Sequence, residues 1–225
     1  MRALSGQIAL ITGAGSGLGK AAALAFADEG AKVVLCGRRT AKLEEVSDAI
    51  AAGGGEALTV QADVSLESDV LRLVQAAQSR FGRIDIVVNN AAVFESGEIA
   101  DTPLDAWNAQ LSTNLTGPFL VTRSVLPMMR KQKFGRIINI TSGLADNGAG
   151  GFAAYAVSKA GLETLTRTAA EDEEKHNILV NLFNPGPIKT EMHGTGKDPA
   201  SVTSYLVELA ALPKGGKTGR LIEAK

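Results

Sequence analysis

What this chain of 225 residues lacks narrows it before any motif is read. Its one cysteine, Cys36, cannot close an internal disulfide, and its place at the end of an apolar run makes it a buried core thiol suited to a reducing compartment. Basic clusters are missing as well. Lys and Arg number 23 against 24 Asp and Glu and are scattered, so no electrostatic footprint for nucleic acid or an anionic membrane is present. No run approaches the roughly eighteen apolar residues of a membrane span, and residues 1–6 hold one arginine without the apolar stretch of a signal peptide. A cytoplasmic protein that binds neither nucleic acid nor membrane is expected. His176 and His193 are the only histidines, too few and too isolated for a metal site, so no metal is expected. The acidic run Glu171 to Glu174 reads as a solvated helix end. Trp107, the lone tryptophan, is expected on the core.

Apolar runs and helical stretches alternate along the first hundred residues. Gln7 to Thr12, Lys32 to Cys36, Glu56 to Gln61 and Ile84 to Val88 read as strands. Between them lie helical patterns at Lys20 to Asp28, Thr40 to Ala52 and Leu66 to Arg80, the last capped by Ser65 and closed at Phe81-Gly82. Alternation of this kind predicts a single α/β domain over 1–225, a doubly wound Rossmann-type fold with about seven parallel strands and helices on both faces. Thr102-Pro103 looks like a cap followed by an N1 proline. The helix it opens runs to Lys131 and should kink around Asn114 to Pro118. Arg136 to Ile140 and Ile178 to Phe183 supply two more strands, Phe152 to Glu174 and Ser201 to Leu212 two more helices, and Thr218 to Ile222 a final strand. Glu191 to Pro199 is polar and glycine-bearing, and is expected to form a short flap at about 190–200.

The first strand runs straight into Gly13-Ala14-Gly15-Ser16-Gly17-Leu18-Gly19. Glycines at such a turn let backbone approach a pyrophosphate, and the helix that follows offers free N–H groups and a positive dipole end. The literal G-x-G-x-x-G fingerprint is absent, because Leu18 and Lys20 stand where its third glycine would fall. At the end of the second strand a carboxylate would hold the ribose 2′-hydroxyl of NAD. Gly37 stands there instead, followed by Arg38 and Arg39. Two guanidinium forks without an anionic neighbour suit a 2′-phosphate, so NADP(H) is favoured and NAD(H) is the alternative.

The chemistry concentrates between Ser142 and Lys159. Tyr155 and Lys159 are four apart in a helix and share a face, so the ammonium should lower the phenol pKa toward working pH and make Tyr155 a general acid or base. Ser142 follows the strand Arg136 to Ile140, at the strand end where open α/β sheets keep their ligands, and could donate to a substrate oxygen. Ser142 with His176 does not read as a hydrolase pair, because no G-x-S-x-G surrounds the serine.

Together these pieces resemble the classical short-chain dehydrogenase/reductase family from about Gly6 to Gly219. Thr12 to Gly19 is similar to its cofactor loop, Asp63-Val64 to its adenine-contacting pair, and Asn89-Asn90-Ala91-Ala92 to its N-N-A-G, with Ala92 replacing the last glycine. The resemblance implies cofactor contacts at Gly13, Ser16, Gly17, Leu18, Gly19, Arg38, Arg39, Asp63, Val64, Asn90, Ala91, Tyr155, Lys159, Pro185, Gly186, Ile188 and Thr190. It implies catalysis by Asn114, Ser142, Tyr155 and Lys159, with Asn114 holding a water that links Lys159 to solvent. Ser142, Leu144, Phe152, Tyr155, Pro187 and Met192 would line the substrate pocket. The implied activity is NADPH-dependent reduction of a small-molecule ketone or aldehyde to an alcohol. A 3-oxoacyl-(acyl carrier protein) reductase is the alternative, for which Arg123, Arg130, Lys131 and Lys133 offer a modest basic rim; a non-catalytic NADP-binding regulator is the alternative of another class. A sugar-nucleotide epimerase would need a larger substrate domain. The resemblance also implies a homodimer or homotetramer pairing helices Pro103 to Lys131 and Phe152 to Glu174, and the short tail makes the dimer the firmer of the two.

Overall fold

The computed structural model describes residues 2–191 and 194–225, so Met192 and His193 lie outside the described residues. Seven strands, β1 (Ile8–Thr12), β2 (Lys32–Gly37), β3 (Ala57–Gln61), β4 (Ile86–Asn89), β5 (Gly135–Ile140), β6 (Ile178–Asn184) and β7 (Leu221–Glu223), form one parallel sheet in the order 3-2-1-4-5-6-7. The central strands are buried on both faces, which is why β1, β4 and β5 read as continuous apolar runs rather than alternating ones. Their period of two still sorts the core. Ala9 and Ile11 face the layer made by α1 (Gly17–Asp28), α2 (Thr40–Ala52) and, from the far end of the chain, the helix Thr203–Ala210. Ile8 and Leu10 face the opposite layer, made by α3 (Glu67–Phe81) and the helices Gly117–Gln132 and Ala153–Glu173.

Several local details differ from the sequence reading. Helix α1 starts at Gly17 rather than Lys20, because the second half of the glycine turn is already the helix's first turn. Ser65 does not cap α3: its N–H and hydroxyl both donate to Asp63 Oδ1, while Asp69 Oδ2 accepts from the Asp63 N–H. Thr102 donates its hydroxyl to Glu98 O, which leaves Pro103 as the cap of α4 (Leu104–Leu111). The expected kink is a single π turn, Ser112–Thr116, between α4 and α5 (Gly117–Gln132), and Pro118 sits in the first turn of α5, where its missing N–H costs nothing. Trp107 is half-buried and belongs to neither core layer.

Beyond β5 come a short α6 (Leu144–Asn147) and the long α7 (Ala153–Glu173). Glu173 is 1 % exposed rather than solvated, because Arg130 grips it with two nitrogens, one at 2.9 Å. The last helix, α8 (Thr203–Ala210), is shorter than expected, with a 3-10 turn at Pro199–Val202, and the final strand begins at Leu221 instead of Thr218. The segment after β6 is fastened at its base, where Lys197 donates its N–H to Pro187 O at 3.0 Å and accepts from Lys189 N–H at 2.8 Å.

Candidate active site

The strand order reverses between β1 and β4, and the crevice this opens at their carboxyl ends is where the glycine turn lies. Gly13 and Gly17 have φ of +66° and +51°, left-handed values that a side chain would strain. Gly19 is required by space: a Cβ there would collide with the Gly13 carbonyl oxygen and the Asn90 side chain. Asn90 braces the turn, donating Nδ2 to Thr12 O at 2.9 Å and to Gly13 O at 3.3 Å. Thr12 answers from the other strand, its Oγ1 accepting the N–H groups of Asn90 and Ala91, each at 3.0 Å. Strand exits stitched in this way hold the turn in one shape, with the α1 amino terminus behind it.

The same crevice continues along the end of β2. Gly37, Arg38, Arg39, Asp63 and Val64 all line it, as does Cys36, whose buried thiol is pushed up to about 12 by desolvation. The absence of an anionic neighbour does not hold. Arg38 Nη1 lies 3.9 Å from Asp63 Oδ2, and Arg39 Nη2 lies 2.7 Å from Glu191 Oε2 while also donating to Ser16 Oγ at 3.1 Å.

At the other end stand Ser142, two residues past the last residue of β5, and Tyr155 and Lys159 on α7. Ser142 acts on the Tyr155 hydroxyl, drawing its pKa down, and Ser142 Oγ accepts the Leu144 N–H at 3.3 Å. Lys159, 3 % exposed, donates Nζ to Ile140 O at 2.8 Å, with Nζ 5.6 Å from the Tyr155 ring centre. This geometry overturns one expectation. Burial raises the Tyr155 pKa, and the hydrogen bond from Ser142, not Lys159, opposes the rise. Desolvation falls on the lysine too and brings it down from 10.5 to about 8.

Asn114 lies in the π turn and is fully buried. Its side chain accepts the Val93 N–H at 2.8 Å and donates to Val93 O at 2.9 Å and to Ser158 Oγ at 3.1 Å. Ser158 Oγ in turn donates to Tyr155 O at 2.7 Å, so Asn114 ties the α7 turn that carries the tyrosine to the loop after β4.

A single cavity of about 790 Å³ joins both ends, from Arg39 and Ser16 through Asn90 to Tyr155 and Phe152. Leu18, Ala91, Leu144, Pro185, Gly186, Pro187, Ile188 and Thr190 also line it; Asn114 does not, and Met192 falls outside the described residues. Residues not singled out in the sequence line it as well. Phe94 stacks on Phe152 at 5.4 Å and meets Tyr155 edge-on at 5.0 Å. Its place two residues past Asn89-Asn90-Ala91-Ala92, at the carboxyl end of β4, was the available signal. Thr141 lines the cavity too, and its hydroxyl donates to Glu163 Oε1 at 2.9 Å. His176 is at the amino end of β6, the rim opposite to Ser142. No metal-binding cluster of His, Cys, Asp or Glu occurs among the described residues.

A dinucleotide fits this donor set: glycine backbone and a helix amino terminus for the pyrophosphate, guanidinium groups at one end, and a phenol and an ammonium at the other. Comparison with known proteins points the same way. The family model for short chain dehydrogenases matches residues 7–200. Over 193 residues, 85 % of this chain and 78 % of the other, the chain is 42 % identical to a 3-oxoacyl-[acyl-carrier-protein] reductase of Synechocystis sp.. It is 38 % identical to an uncharacterized oxidoreductase of Thermotoga maritima, over 83 % of this chain and 73 % of that one. Among solved structures, levodione reductase superposes with a TM-score of 0.94 at 28 % identity, covering 99 % of this chain and 97 % of that one. A short-chain type dehydrogenase/reductase from Mycobacterium marinum gives 0.92 at 33 %, covering 99 % and 95 %.

Proposed function

This chain belongs to the short-chain dehydrogenase family and is an NAD(P)-dependent oxidoreductase, and we propose that it reduces the carbonyl of a small ketone or aldehyde with NADPH. The observation that carries the reading is the placement of Ser142, Tyr155 and Lys159 on the wall of the cavity that begins at the glycine turn. The nicotinamide supplies the hydride when it is bound. Ser142, which acts on the Tyr155 hydroxyl, orients the carbonyl oxygen, and the Tyr155 hydroxyl gives that oxygen its proton. With a pKa of about 8, Lys159 can give up a proton toward the phenolate that transfer leaves on Tyr155 and take one back from solvent, which returns both groups to their starting state. Asn114 fixes the α7 turn through Ser158 and so holds Tyr155 in place. Phe94, Phe152, Leu144 and Pro187 make the substrate end apolar.

NADP(H) over NAD(H) is supported by Gly37 at the end of β2 and by Arg38 and Arg39 on the cavity wall. A second reading, reduction of a 3-oxoacyl thioester, is supported by the likeness to the Synechocystis reductase. Against a carrier-protein partner stands the basic rim, since Arg123 pairs with Glu67 and Arg130 with Glu173. Leu104 on α4, Phe119 on α5 and Val157 on α7 are exposed, which supports self-association through these helices as a dimer or tetramer. No helix among the described residues is long and apolar enough to cross a membrane, and with the near-neutral charge this supports a cytoplasmic enzyme.

The test is titration of the purified protein with NADPH and NADH, then turnover of a ketone and 3-oxoacyl thioester panel with Tyr155→Phe as control. Tighter NADPH binding, with turnover that falls at least a hundredfold in Tyr155→Phe, is expected. Binding without turnover of any carbonyl would overturn the reductase reading, and tighter NADH binding the cofactor preference.

A further inference from the structure

The Arg39–Glu191 pair joins two segments 152 residues apart, the turn after β2 and the loop after β6. Thr190 brings that loop directly over the glycine turn, since a Cβ on Gly17 would lie 3.0 Å from Thr190 Cγ2. Glu191 then reaches past Ser16 to the guanidinium, and Arg39 divides its Nη2 between Ser16 Oγ and Glu191 Oε2. Of the other charges nearby, Lys42 pairs with Glu45 at 3.1 Å and also acts on Glu191 through space, more weakly than Arg39, and Arg38 lies 3.9 Å from Asp63. All four of Ser16, Arg38, Arg39 and Glu191 line the nucleotide cavity. Arg39 Nη2 is thus already engaged by Glu191 and Ser16, and a phosphate that sought the same donor would meet the carboxylate beside it.

We propose that Glu191 sets cofactor specificity by competing with the 2′-phosphate of NADP(H) for the guanidinium of Arg39. The inference rests on the reading that Arg39 faces the 2′-position. A nucleotide with a 2′-phosphate must displace the carboxylate or accept its repulsion. One with a free 2′-hydroxyl leaves the ion pair intact, so Glu191 compresses the preference for NADP(H) that Arg38 and Arg39 create. Both side chains are more than half exposed, so the competition is screened by salt and modest in size.

Direct binding of two small nucleotides isolates the effect without turnover. 2′,5′-ADP and 5′-AMP differ only by the 2′-phosphate, and calorimetric titration at low ionic strength compares them on the full chain. The comparison runs over the wild type, Glu191→Gln, Arg39→Gln and the double variant, with NADPH against NADH fluorescence as a second readout. Glu191→Gln is expected to tighten 2′,5′-ADP about three- to fivefold, the scale of an exposed ion pair, and to leave 5′-AMP unchanged. That gain should shrink with added salt and vanish when Arg39 is glutamine. A 2′-phosphate preference that is lost in Arg39→Gln but is unchanged or weakened in Glu191→Gln would overturn the competition while leaving the NADP reading standing. No 2′-phosphate preference in the wild type or in any variant would overturn that reading and the inference with it.

Discussion

A buried cation lies at each end of strand β5, Arg136 from the strand itself and Lys159 reaching in from α7, and the two are built differently. Near its amino end Arg136, 1 % exposed, donates to three backbone carbonyls: Leu212 O at 2.8 Å, Gly135 O at 2.7 Å and Asn177 O at 2.9 Å. Its guanidinium carbon also lies 4.1 Å from the centre of the Phe134 ring. At the carboxyl end Lys159 gives one of its three donors to Ile140 O and opens on the cavity. Neither has a carboxylate partner among the ion pairs of the described residues, and burial lowers both, the arginine to about 10 and the lysine to about 8. The same desolvation therefore has opposite uses. A guanidinium brought down to 10 is still charged at every working pH and serves as a fixed tie between β5, β6 and the segment after α8. An ammonium brought down to 8 can part with its proton. Which residue type stands at which end decides whether a buried charge holds structure together or does chemistry.

The comparison breaks most readily on turnover. Lys159→Met should lower kcat by about 10²- to 10⁴-fold, the usual worth of a group that moves or positions a reacting proton. Arg136→Met, assayed where it remains folded, should stay within about threefold of the wild type, because nothing at the amino end of β5 reaches the cavity. Steady-state kinetics on both variants, corrected for the folded fraction by circular dichroism, checks this. An equal loss in both would mean that the two ends are coupled and that the tie is also part of the machinery.

How much of this could be read from the residues alone follows from distance along the chain. Parallel strands buried on both faces appear as short apolar runs stopped by glycine, so β1, β2 and β5 were legible almost to the residue. Tyr155 and Lys159 share a helix face, which local spacing shows, whereas Ser142 joined them through the family resemblance. The pairs that sequence reading missed join distant segments: Arg39 with Glu191, Arg130 with Glu173, Phe94 with Tyr155. The sign of the tyrosine shift failed for another reason. Helical spacing puts an ammonium near a phenol, but only packing shows that Nζ is drawn to the Ile140 carbonyl and that burial outweighs it. Arg136 looked like an ordinary strand residue, since no local pattern reveals that three carbonyls converge on it.

Stability separates the two cations in the other direction. Arg136→Met takes a donor from three carbonyls, of which Asn177 O keeps the Gly135 N–H at 3.3 Å, and should cost about 3 kcal/mol in urea unfolding at neutral pH. Lys159→Met removes a buried ammonium that is held by one carbonyl, and should hold its stability or gain up to about 3 kcal/mol. Arg136→Met that is as stable as the wild type would show that its carbonyls find water, and that the tie is not needed.

The smallest effect is the sharpest test of why the lysine is suited to its place. In the unfolded chain Lys159 keeps its proton up to its ordinary 10.5, but in the fold it releases the proton near 8. Between those values the unfolded chain binds more protons, so the lysine's contribution to stability rises with pH, by up to about 3 kcal/mol across the window. Cys36, raised from 9.0 to about 12, and Tyr155, also raised, act with the opposite sign: the fold keeps their protons where the unfolded chain has lost them, and stability falls. The raw wild-type curve therefore mixes opposite slopes above about pH 9, and the informative quantity is the difference between wild type and Lys159→Met. That difference should climb in favour of the wild type from pH 8 to 10.5, whereas the difference between wild type and Arg136→Met should stay level to about pH 9 and climb only as the buried guanidinium titrates around 10. Urea unfolding at a series of pH values measures both. A level lysine difference would mean that Lys159 stays charged like Arg136, and the two ends of β5 would then differ only in what surrounds them.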